Sequence, residues 1–130
     1  MMGNRTMRIL FLAAIFAAFG FGGGTARAEG DATSGQKLFG QRCAFCHSIA
    51  AAERKPLGPE LAGVFGRKAA SIADYKYSPA FAALTVTWDD KSLDEFLVAP
   101  AKLAPGTPMA IGVPQAADRE DLIAYLKSVK

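Results

Sequence analysis

The chain has 130 residues, 51% hydrophobic and 21% charged, enough for one small domain with a modest core. Three of its 15 basic residues, Arg5, Arg8 and Arg27, precede Glu29 and no acidic residue does, so residues 29–130 hold equal numbers of bases and acids. That zero net charge, with no basic stripe along the sequence, removes the footing for a nucleic-acid-binding protein.

The first segment reads as a leader. Arg5 and Arg8 open it, an apolar run follows from Ile9 to Phe21, and Ala26-Arg27-Ala28 places small residues at the cleavage positions. The run is shorter than the roughly 20 apolar residues that cross a bilayer, which disfavours a membrane anchor. The expectation is an exported protein, with residues 1–28 a signal peptide cut after about Ala28 and residues 29–130 a single domain. Asp31 is an N-cap candidate for a first helix that continues through Leu38, Phe39, Arg42 and Cys43. A second helix is expected over Lys91 to Val98, ended by Pro100. Asp89-Asp90 and Asp94-Glu95 read as its solvated N-terminal end, where acids suit the helix dipole. Near the C-terminus Leu122, Tyr125, Leu126 and Val129 recur at i, i+3, i+4 and i+7, one face of an amphipathic helix. Between these segments the chain is rich in Gly and Pro without alternation, so no sheet is expected. Loops of that length in a compact domain need a reason, and a large apolar cofactor filling the middle is one.

The chemistry lies in Cys43-Ala44-Phe45-Cys46-His47. Residues three apart on a helical turn share a face, so both thiols reach the two vinyl groups on one edge of a haem and add across them as thioethers. His47 then points at the iron. The 2 cysteines and the 1 histidine of the chain are all in this pentad. A thioredoxin-like dithiol would need a strand leading into the motif and a parallel sheet around it. A disulfide would close almost no loop, and zinc would lack a further Cys or His. For a second axial ligand, Met109 is the one methionine beyond the expected leader, which takes Met1, Met2 and Met7. It follows Pro105-Gly106-Thr107-Pro108, a run that resists helix and suits a strap across the far face of the haem. His/Met ligation raises the reduction potential.

From Gly30 to Lys130 the sequence resembles class I cytochrome c, in the bacterial branch close to the mitochondrial proteins. The matching motifs are Gly35-x-x-x-Phe39, the pentad, Gly58-Pro59-x-Leu61-x-Gly63-Val64-Phe65-Gly66-Arg67, Tyr75-x-Tyr77-Ser78, Trp88, Pro105-Gly106-Thr107-x-Met109 and Arg119 through Lys127. The resemblance implies an all-α fold whose N- and C-terminal helices cross, with Gly35 allowing close approach and Phe39, Leu122 and Tyr125 packed at the crossing. Long loops wrap one low-spin haem c held by Cys43 and Cys46, with His47 and Met109 on the iron. It implies further that the Pro59 carbonyl holds the His47 ring, that Arg67, Tyr75, Trp88 and Thr107 surround the haem propionates, and that Tyr77 belongs to the same site. Phe96 stands where the family usually has a tyrosine, and Pro108 where a lysine is common.

The function implied is a soluble, monomeric periplasmic electron carrier rather than an enzyme. It would serve the respiratory chain between a quinol-oxidising complex or dehydrogenase and a terminal acceptor, an oxidase or reaction centre, touching membrane-bound complexes only transiently. A haem enzyme or gas sensor would require Met109 off the iron, and a thiol oxidoreductase would lack haem.

Overall fold

A computed structural model of the chain describes residues 29–50 and 57–130; the expected leader lies outside the described residues. Helix α1 covers Ala32–Arg42. Asp31 caps it as expected, its side chain accepting from the Thr33 and Ser34 backbone N–H groups at 2.6 and 3.1 Å. The C-terminal helix Ala116–Ser128 lies against α1 at the far end of the chain. A Cβ on Gly35 would stand 2.0 Å from the Asp121 carbonyl oxygen and 2.8 Å from Tyr125 Cβ, so the two backbones meet where only glycine fits. Phe39 and Tyr125 pack at the crossing with ring centroids 5.6 Å apart and planes tilted by 57°, and Leu122 beside them is 1% exposed. The Asp31 N–H also donates to Asp121 Oδ1 at 2.7 Å, tying the first turn of one helix to the other.

The helix expected over Lys91 to Val98 spans Asp90–Val98. Asp89 and Ser92 form a reciprocal capping box at its start. Pro100 does not simply end it. Proline ends a helix because it has no N–H and crowds the preceding turn, yet its fixed φ suits a first helical position. Pro100–Leu103 is accordingly a new four-residue helix. Pro79–Ala82 is another, capped by Ser78, and no periodicity exposes so short an element. In chain order the helices are therefore α1, α2 (Pro79–Ala82), α3 (Asp90–Val98), α4 (Pro100–Leu103) and α5 (Ala116–Ser128). Among the described residues no strand forms; a single antiparallel bridge joins Lys68 to Thr87. The all-α class is as expected.

The four acids at α3 divide. Asp89 caps, Asp90 pairs with Lys127 of α5, and Glu95 pairs with Lys91 one turn back. Asp94 departs from the solvated role expected of it and accepts from Arg119 Nε at 2.6 Å. Arg119 is only 8% exposed, and its Nη1 donates to the Val113 and Pro114 carbonyls at 2.9 and 2.8 Å. This buried guanidinium joins α3, α5 and the end of the segment that carries Met109.

Candidate functional site

Cys43 is the C-cap of α1, its N–H bonded to the Phe39 carbonyl at 2.8 Å. The N–H groups of Cys46 and His47 both return to the Cys43 carbonyl, at 3.0 and 2.9 Å, so the pentad winds one further tight turn. Both thiols are unpaired and half-buried. Burial pushes the Cys43 thiol above its ordinary value, with the Arg42 charge opposing. A helix, not a strand, leads into the motif, and its C-terminal end disfavours a thiolate. These facts count against a nucleophilic dithiol.

His47 Nδ1 lies 2.8 Å from the Pro59 carbonyl oxygen. A carbonyl only accepts, so Nδ1 carries the proton and Nε2 keeps its lone pair for a metal. Burial holds the imidazole below its ordinary pKa, opposed by that same hydrogen bond.

A cavity of about 420 Å³ opens beside the pentad, within the size range of cofactor sites. Cys43, Cys46, His47, Pro59, Arg67, Tyr75, Tyr77, Trp88, Thr107 and Met109 all line it. The strap turns at Gly106, whose φ of 81° is left-handed, and the Thr107 N–H closes onto the Ala104 carbonyl at 3.0 Å. The Met109 N–H donates to Thr107 Oγ1 at 3.3 Å, and the Met109 side chain packs against the core. One wall is aromatic: Tyr77 and Phe81 lie parallel at 5.1 Å, Phe96 meets Phe81 edge-on at 5.7 Å, and Phe96 and Trp88 are tilted at 5.4 Å.

The expected propionate donors are partly engaged elsewhere. Tyr75 donates its hydroxyl to the Leu57 carbonyl at 3.2 Å. Arg67 donates to the carbonyls of Ala62 and Glu60 at 2.7 and 2.8 Å and to the Glu60 carboxylate at 3.2 Å. Phe81 and Glu60 went unnoticed in the sequence. A phenylalanine in Pro79-Ala80-Phe81-Ala82 carries no motif, and a glutamate between Pro59 and Leu61 reads as a surface charge.

Two free thiols a turn apart, an imidazole with one nitrogen already held and a thioether, set around an apolar cavity, fit a covalently attached haem. The family model for cytochrome c matches residues 32–130. The chain is 46% identical over 100 residues to cytochrome c of Arabidopsis thaliana, covering 76% of this chain and 89% of the relative. It is 45% identical over 100 residues to that of Cochliobolus lunatus, with 76% and 93% covered. With Gibberella zeae cytochrome c the identity is 45% over 101 residues, 77% of this chain and 95% of the relative. These relatives come from a plant and two fungi, not from bacteria, and on that finding the expected periplasmic address is overturned.

Proposed function

Because the chain belongs to the cytochrome c family, an electron carrier with one haem c joined through its cysteine pair and not an enzyme, we propose that His47 and Met109 are the axial ligands and that the protein shuttles single electrons as a soluble monomer. Its redox partners are a quinol-oxidising complex or dehydrogenase on one side and an oxidase or reaction centre on the other. When bound, the haem supplies a one-electron iron couple. The protein's residues hold and shield it. Cys43 and Cys46 fix one edge, and the Pro59 carbonyl keeps the His47 ring from turning. The wall of Tyr77, Phe81, Trp88 and Phe96 excludes water from the cavity. Were His47 and Met109 both to bind the iron, the haem would keep no position for a substrate, and the residues around it would support electron transfer without bond chemistry.

The observation that carries this reading is that His47, with Nε2 left free, and Met109, on a separate strap, line one cavity with both thiols. Replacing Met109 with Ala should abolish the long-wavelength sulfur-to-iron band of the oxidised protein and lower the potential, because a soft thioether favours ferrous iron. Persistence of the band would put another ligand on the iron.

A further inference from the structure

Glu60 holds the one buried side-chain oxygen that lacks a hydrogen-bond partner among the described residues, Oε2. Its other oxygen accepts from Arg67 Nη1 at 3.2 Å, in a pair whose side chains are 21% (Arg67) and 19% (Glu60) exposed. An ionised carboxylate has about four acceptor sites, and leaving one oxygen dry is costly. Placing Arg67 does not explain that cost, because the Ala62 and Glu60 main-chain carbonyls already grip the guanidinium at 2.7 and 2.8 Å. What the Glu60 side chain adds is a negative charge. Arg67 lines the cavity, and Glu60, paired with it, is not among the lining residues.

We infer that Glu60 sets the reduction potential of the carrier by cancelling the Arg67 charge at the cavity wall. An uncompensated guanidinium there would oppose the extra positive charge of ferric iron and raise the potential. A carboxylate paired with it offsets that, and at this burial solvent screens neither charge fully. Glu60 thus acts through Arg67 and touches no haem atom. The Tyr77 hydroxyl on the same wall registers both charges. Burial raises it above its ordinary value, a backbone N–H at Ile72 and the Arg67 charge oppose this, and Tyr75 and Glu60 add to it.

The proposal rests on the cavity being the haem site. The experiment is a spectroelectrochemical titration of the haem-loaded parent, Glu60→Gln, Arg67→Gln and the double variant, at one pH and ionic strength. The potential should rise in Glu60→Gln, fall in Arg67→Gln and return toward the parent in the double variant. An unmoved potential in Glu60→Gln with the parent's visible spectrum would overturn the inference. So would a double variant displaced as far as Glu60→Gln. If a single variant with one charge stranded fails to fold, the double variant decides alone: a parental potential supports cancellation and a displaced one refutes it. Failure of the haem reading itself looks different, since no protein of the set would then carry covalent haem by mass.

Discussion

A methyl group on residue 58 would stand 2.7 Å from His47 Cε1, 2.8 Å from Nδ1 and 2.8 Å from the Cys46 carbonyl. Gly58 therefore contributes by having no side chain, which lets the imidazole come close to its backbone while reaching Pro59. Neither a ring clamped by a carbonyl nor the carbonyl itself moves readily, so relief must come from tilting the ring or opening the loop. Gly58→Ala should lower holoprotein stability by about 2 kcal/mol, the cost of overpacking a tight site. A guanidinium denaturation curve followed at the haem absorbance measures it; a parental midpoint would show that the loop yields freely. The pentad was legible in the sequence because its chemistry demands fixed local spacing, and Met109 because the other methionines all fall within the expected leader. Glu60 was not legible. Its role depends on which way two loop carbonyls turn to hold Arg67, and loop direction leaves no periodic trace.

Caps and crossings make the helices, and they differ in how visible they are. Asp31 and Asp89 act on N–H groups two or three residues away, yet only Asp31 was expected as a cap; Asp89 was read as one acid of a solvated helix end. The α1–α5 crossing joins residues about ninety apart, and it was anticipated only through the motif around Gly35. Arg119 meets Asp94 25 residues back and two carbonyls of an irregular segment, a combination with no local signature. The crossing yields a paired prediction within one helix. Gly35→Ala forces a Cβ into a backbone carbonyl that α5 cannot withdraw and should cost about 3 kcal/mol. Gly40 is exposed in the same helix with nothing within 4 Å of an added Cβ. Gly40→Ala should therefore gain about 0.5–1 kcal/mol from helix propensity. Thermal unfolding of the two variants beside the parent tests both signs; equal effects would mean that the close approach is not what makes Gly35 necessary.

For the molecule as a whole, the charges at the cavity, Arg42, Arg67 and Lys68, lie away from the segment that carries Met109 in sequence. Leu103 to Ala117 holds no charged residue, and Leu57 and Ile111, which line the cavity mouth, are 54% and 53% exposed. Encounters steered by charge gain association rate by factors of about 10 to 1,000 at low salt and lose it as the Debye length falls to about 10 Å at 0.1 M. An apolar face has no such rate to lose. Electron transfer with a membrane-bound redox complex should change by less than about threefold from low to high ionic strength, measured by stopped flow. A steep fall would show that cations such as Lys37, Arg42 and Lys68 guide docking instead. The meeting of α1 with α5 also orders events during synthesis. While the chain is still being made, Phe39 has no Tyr125 to pack against and Gly35 no backbone to approach. Cys43 and Cys46, at the end of α1, stay outside any finished core until the last helix has emerged. A fold closed by its first and last helices therefore leaves both thiols open until α5 is in place against α1.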